Sequence, residues 1–201
     1  YNSEYKPNVF ISASAIGFYG DTGSDLITEK SPAGKGFLPE VSIDWEAATK
    51  PIENAGVRTV HLRTGIVLSK KGGALKKMLP PFYAGGGGIL GSGKQYMSWI
   101  SIDDMVRAIK FLIYEDSLNG PYNLTAPNPV TNKEFTKILG KVIKRPTIVP
   151  LPGFAAKLIF GEMAEALLLS GNNVIPEKLL AAGYTFKHSE LREALKDLLT
   201  K

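Results

Sequence analysis

The segment Val9-Phe10-Ile11-Ser12 is a short, almost unbroken apolar run, the pattern of a strand covered on both faces. A polar, glycine-bearing loop follows from Gly20 to Gly36, long for a connection inside a compact domain and so a candidate functional loop. Then the period changes. Phe37, Val41, Trp45, Ala48 and Ile52 recur at helical spacing and predict a helix whose apolar face they form, with Pro51 at its kink or end. Past Asn54-Ala55-Gly56, the run Val57 to Arg63 predicts a second strand. Strand, helix, strand in that order predicts a right-handed crossover and a parallel sheet.

Downstream the pattern is more broken. Ile66-Val67-Leu68 is a short apolar stretch, and Ala74 to Tyr83 reads as a helix disturbed by Pro80-Pro81. Gly85 to Gly88, then Gly91 and Gly93, form the most permissive backbone in the chain. Gln95 to Ser101 predicts a strand, and Asp103 is expected to cap a helix whose core face is Met105, Val106, Ile109, Leu112 and Ile113. Pro121 to Thr125 predicts another strand, and Thr131 with Glu134 predicts a capping box opening a helix to Ile143. A strand over Thr147 to Val149 leads into a helical tail, with helices over Phe154–Leu169, Pro176–Ala182 and Ser189–Leu199.

At 201 residues the chain can bury one sizeable core. The absence of cysteine excludes a disulfide framework, a thiol nucleophile and a cysteine-held metal, and it fits a cytoplasmic location. Phe154–Leu169 carries Lys157, Glu162 and Glu165 and is too short to span a bilayer, so no membrane partner is expected. The net charge of +5 has one local cluster, Lys70, Lys71, Lys76 and Lys77, without an aromatic-rich basic stripe. An anionic small molecule is therefore the expected partner rather than a nucleic acid, with a solvated lysine loop as the plain alternative. His61 and His188 stand in no metal-ligand spacing, and no metal site is expected.

Several stretches, in one order, resemble the C-terminal two thirds of an extended short-chain dehydrogenase/reductase, the superfamily of nucleotide-sugar epimerases and dehydratases. They are Ser12-Ala-Ser-Ala-Ile-Gly-Phe-Tyr-Gly20, His61-Leu-Arg-Thr-Gly-Ile-Val67, Gly91-Ser-Gly-Lys-Gln-Tyr-Met-Ser-Trp-Ile-Ser-Ile-Asp-Asp104 and Tyr122-Asn-Leu124. Asp44-Trp-Glu-Ala-Ala48 and Ile175-Pro-Glu-Lys-Leu-Leu-Ala-Ala-Gly-Tyr-Thr-Phe186 narrow the resemblance to an epimerase-like branch with a C-terminal extension of unknown role. The resemblance implies an α/β fold of Rossmann type whose parallel sheet is incomplete, with a small substrate lobe and a helical tail. Residues 1–146 would be the rest of the nucleotide-binding domain with its lobe, and 147–201 the extension. The glycine-rich first turn of the superfamily is absent, so about a hundred further residues are expected upstream, the size of the missing part of a dinucleotide-binding domain.

The implied chemistry is hydride transfer at a sugar carbon by NADP, or NAD, with cofactor binding weakened or lost in this piece. Ser14 and Tyr19 take the catalytic positions. Ser12, Ala13, Arg63, Gly65, Ile66 and Val67 take the cofactor positions, and Lys94, Gln95 and Trp99 face a nucleotide-sugar-like substrate. Homodimerisation stays open. The superfamily's usual base, a tyrosine four residues before a lysine, does not occur in the chain; its positions fall near Phe37 or Leu38 and Val41 or Ser42. The alternative is a cofactor-binding sensor or interaction protein without turnover, since some relatives carry a cell-division-inhibitor label. For Arg63, pairing with Asp103 or Asp104 competes with a ligand role, and Glu46 reads either as an acid/base group or as a solvated helix carboxylate.

Overall fold

The computed structural model describes residues 5–148 and 171–200. The strands β1 (Val9–Ala15), β3 (Arg58–Thr64) and β7 (Gly120–Leu124) form a parallel sheet in the order β1-β3-β7. Every residue of β1 is paired with β3, Ser14 lying beside Arg63, and Arg63 in turn lies beside Asn123 of β7. The predicted first strand therefore runs three residues further than its apolar run, through Ala13, Ser14 and Ala15. A short 3-10 turn, Ile16–Tyr19, closes it.

Between β1 and β3 run helices α1 (Phe37–Ala47) and α2 (Lys50–Asn54). The face that α1 turns inward is not the apolar one. Pro39, Ser42 and Thr49 are buried and Glu46 is nearly so, a helical stripe of small or polar residues, whereas Phe37 is 76% and Trp45 53% exposed. That face lies against the 3-10 turn: a Cβ on Gly17 would be in van der Waals contact with Leu38 Cβ at 3.5 Å and Ser42 Oγ at 4.0 Å, so the helix and the turn pack closely there.

Helix α4 (Ile102–Tyr114) covers the opposite face of the sheet, where Val60, Leu62, Tyr122 and Leu124 join Ala108 and Leu112 in one core cluster. Arg58 fastens its end by donating to the carbonyls of Leu112, Ile113 and Leu118. The chain advances across the sheet in one direction but passes first over one face and then over the other. The two crossovers are thus of opposite hand, and one departs from the usual right-handed rule. As a result, the α1 side of β3 and β7 keeps an open groove of about 860 Å³, lined among others by Phe18, Glu46, His61 and Arg63.

The second core belongs to the lobe. Strands β4 (Ile66–Leu68) and β6 (Trp99–Ser101) pair in parallel, β5 (Tyr96–Met97) pairs antiparallel with β8 (Val130–Thr131), and helices α3 (Gly73–Tyr83) and α5 (Asn132–Ile143) flank them. The predicted strand over Gln95–Ser101 is thus two, broken at Ser98, whose carbonyl accepts from the Ile66 amide. The capping box of Thr131 and Glu134 is present as expected. Helix α4, by contrast, is capped by Ser101, which accepts from the Asp104 amide, and not by Asp103. Of the tail, β9 (Asn173–Val174) pairs with β2 (Leu26–Ile27), α6 (Glu177–Ala181) lies by β7, and α7 (Leu191–Leu199) packs Leu191 and Leu195 into the lobe core. Thr147 and Ile148 are not in a strand, and the predicted helix over Phe154–Leu169 lies outside the described residues. Among the described residues no helix is long and apolar enough to cross a membrane.

Candidate functional site

At the carboxyl ends of β1, β3 and β7, where open α/β sheets bind ligands, the buried side chains are polar. Ser14 Oγ donates to Glu46 Oε1 at 2.8 Å, and Arg63 grips both oxygens of Glu46 at 2.8 Å through Nε and Nη2. The third corner of the guanidinium donates to Tyr19 Oη at 3.0 Å, and Tyr19 donates onward to Asn123 Oδ1 at 2.7 Å. Asn123, fully buried, gives its amide to Glu29 Oε1 and its Nδ2 to the Ile175 carbonyl. The Phe18 ring lies over the guanidinium, 3.4 Å from its centroid to Cζ, a cation–π contact that shields the charge from water. The result is a continuous chain of hydrogen bonds from Ser14 to the tail.

Burial sets the protonation of this chain. It pushes the Tyr19 phenol up, and the bonds from Arg63 only partly offset it, so Tyr19 is a proton donor and not a phenolate. For Glu46 burial also works upward, but the bonds from Arg63 and Ser14 outweigh it and hold the carboxylate below its ordinary range. Burial opposes the charge of Arg63 as well, and Glu46 with Tyr19 more than restores it. Glu29 is raised by burial against the pull of the Asn123 and Lys178 amides. His61, next along the groove, is pushed down by burial. Its Nε2 lies 2.8 Å from Thr49 Oγ1, which also lies 2.8 Å from the Glu46 carbonyl and 3.1 Å from Glu53 Oε1, and its Nδ1 is buried without a hydrogen-bond partner among the described residues.

For Arg63 and Glu46 the structure removes one of the two alternatives left open by the sequence. Arg63 pairs with neither Asp103 nor Asp104, because β3 turns it toward α1 while both aspartates sit on α4 across the sheet. Asp104 is held instead by the amides of Lys187 and His188 and by Ser101 and Tyr184. Glu46 is not a solvated helix carboxylate, since its side chain is only 13% exposed.

Of the expected cofactor positions, Ser12 is half-buried, Ala13 exposed and Gly65, Ile66 and Val67 half-buried; Ser12 and Ala13, successive residues of β1, turn to opposite faces of the sheet. Gly65 is tied to its place, for a Cβ there would come within 2.5 Å of the Ser98 carbonyl oxygen. Lys94 is exposed and Gln95 half-buried, its Nε2 donating to the Leu90 carbonyl. Trp99 has no exposed surface; it fills the lobe core and donates Nε1 to the Asn128 carbonyl. Sequence reasoning missed Glu29 and Lys178 altogether, because a lone glutamate in a polar loop and a lysine on a tail helix carry no pattern; only the fold brings them to Asn123. Elsewhere, Asp103, His188 and Asp197 converge as metal ligands could, but the Lys187 ammonium lies 2.6 Å from Asp103 and 2.7 Å from Asp197 and already balances them.

A parallel sheet with its polar groups gathered at the carboxyl ends, next to a separate lobe, defines an α/β protein of Rossmann type. Residues 151–198 match a family described as a domain of unknown function, DUF1731. The epimerase family protein Mb2239 of Mycobacterium bovis is 50% identical over 185 residues, covering 92% of this chain and 62% of the relative. The crystal structure of the human epimerase family protein SDR39U1 (isoform 2) with NADPH superposes with a TM-score of 0.91 at 32% identity, over 99% of this chain and 68% of that one. A nucleoside-diphosphate sugar epimerase from Corynebacterium glutamicum matches at 36% identity and a TM-score of 0.77, over 96% of this chain and 37% of that one. The chain belongs to the epimerase family that includes SDR39U1. It spans about 62% of the length of its mycobacterial relative.

Proposed function

We propose that the intact protein binds NADP(H), with Ser12, Ala13, Gly65, Ile66 and Val67 as the positions nearest the nicotinamide end, and moves hydride at a carbon of a nucleotide-sugar-like substrate. The observation that carries this reading is the gathering of Ser14, Tyr19 and Arg63 at the carboxyl ends of adjacent parallel strands, where open α/β sheets take their ligands. The human relative solved with NADPH supports it. When bound, the nicotinamide would accept and return the hydride; Ser14 and the protonated Tyr19 would turn their hydroxyl protons from Glu46 and Asn123 to a substrate oxygen, while Arg63 keeps its hold on Glu46 and the Tyr19 oxygen. Exposed Lys94 and neighbouring Gln95 meet the anionic part of the substrate from the lobe. The test is calorimetric or fluorescence titration of the full-length protein with NADPH and NADH. Saturable binding is expected, and no binding of either at millimolar concentration overturns the reading.

A second reading has a specific observation behind it. The hydroxyl protons of Ser14 and Tyr19 are given to Glu46 and Asn123, and the usual tyrosine and lysine positions on α1 hold no ionisable group. A protein that binds the cofactor without turnover fits both facts. Incubation with NADP and a panel of nucleotide sugars separates the two: product formation abolished by Ser14→Ala supports catalysis, and tight cofactor binding with no product from any sugar supports the sensor.

A further inference from the structure

The extension has no assigned role, yet its segment 171–178 is threaded through the candidate site. Gly171 enters where a Cβ would lie 3.1 Å from the Gly23 oxygen and 3.1 Å from the Tyr96 nitrogen, so that a side chain would crowd the backbone on two sides. Ser98 then clasps the chain, donating to the Asn172 carbonyl at 2.6 Å and accepting from the Val174 amide at 2.8 Å. Asn173 and Val174 pair with Leu26 and Ile27 of the loop that follows Tyr19, and the Ile175 amide continues the pairing to the Ile27 carbonyl. Beyond this clasp, the segment turns its own polar backbone on the network: the Ile175 carbonyl accepts from Asn123 Nδ2 at 3.0 Å, and the Lys178 amide donates to Glu29 Oε2 at 3.3 Å.

The orientation of Asn123 depends on that carbonyl. An asparagine side chain has an oxygen and a nitrogen end of nearly equal shape, and the partners decide which points where. Tyr19 donates only if the oxygen faces it, and the oxygen faces it because the nitrogen end has a fixed acceptor on the other side. Pro176 helps fix that acceptor, since the residue before a proline is confined to extended backbone.

We propose that residues 171–178 are a positioning strap, whose Ile175 carbonyl and Lys178 amide orient Asn123 and Glu29 so that Asn123 fixes the Tyr19 phenol at the carboxyl end of the sheet. This rests on the cofactor reading only in treating Tyr19 as part of a site. The strap makes the extension a component of the site and not merely a brace for the fold.

The test uses two variants that touch neither Tyr19 nor Asn123. Pro176→Gly frees the acceptor, and Ser98→Ala opens the clasp further up, with the smaller cut. In full-length protein labelled with 13Cζ-tyrosine, the Tyr19 signal, assigned by Tyr19→Phe, is followed against pH while NADPH affinity is measured in parallel. The expected result is a displaced Tyr19 signal that titrates at lower pH than in the parent, in variants whose spectra show a folded protein. Turnover, where the parent has it, falls about tenfold with little change in KM, the size of one lost buried hydrogen bond expressed in the transition state. A Tyr19 signal identical to the parent in both variants, with only a lower melting temperature, overturns the strap and leaves a plain stabilising role. Failure of the parent to bind NADPH sinks the cofactor reading alone, because the tyrosine comparison still decides the strap.

Discussion

Arg63 is the residue on which the site turns. Its guanidinium, 5% exposed in the side chain, balances Glu46 and supports the Tyr19 phenol while Phe18 caps it. Arg63→Met leaves the Glu46 carboxylate buried with the Ser14 hydroxyl but without its cation, and is expected to cost about 3–5 kcal/mol of stability in denaturant unfolding. The double replacement Arg63→Met with Glu46→Leu is expected to recover most of that loss, since a buried ion pair exchanged whole for apolar groups is often neutral. Acid acts on the neighbours with a definite sign. His61 has a folded-state value below its ordinary 6.5 because burial disfavours the imidazolium, so the unfolded chain takes up a proton that the fold refuses. Its stabilising contribution is complete above 6.5 and is lost as pH falls through the lower folded value. Glu46, also depressed below its ordinary 4.5, adds a loss of the same sign further down, and Glu29, raised, works the other way. Melting temperatures measured across this range should fall on acidification from pH 6.5, and His61→Gln should flatten the upper part of the fall.

Helix α1 shows what periodicity conveys and what it does not. The stripe Phe37, Val41, Trp45 announces a helix, and a helix is there, but the stripe points away from the sheet. Hydrophobic spacing reports that an element is amphipathic, whereas the face it buries is decided by the neighbour, here a 3-10 turn with glycine at the contact. Trp45→Ser is therefore expected to change unfolding free energy by no more than about 0.5 kcal/mol, and Ser42→Leu to cost about 1–3 kcal/mol by overpacking. The same limit governs the site. Ser14, Tyr19 and Arg63 were legible because motif order placed them at strand ends, and the parallel β1–β3 pairing put Ser14 beside Arg63. Asn123 was legible as part of a Tyr-Asn strand but not as a hub, because its partners Glu29 and Ile175 come from a loop and a tail with no periodic signal. Gly34 is a further silent position. A Cβ there would come to 2.3 Å from the Tyr19 carbonyl oxygen, so Gly34→Ala should lower stability by about 1–3 kcal/mol and disturb the Tyr19 turn.

At the scale of the whole molecule, the tail and the early loop are the two ends of one assembly, since Leu26 and Ile27 pair with Asn173 and Val174. That pairing has a consequence in time. During synthesis, the Leu26–Ile27 segment waits while the 147 residues separating position 26 from position 173 are added. At cellular elongation rates of about 5–20 residues per second, the delay is on the order of ten seconds. The β1–β3 pairing and the helix between these strands are complete far earlier, so a nascent chain should acquire protease resistance over β1, α1 and β3 well before the loop around residue 26 becomes protected. Closure of the loop is then timed by the emergence of Asn173 and Val174 and not by the folding of the sheet.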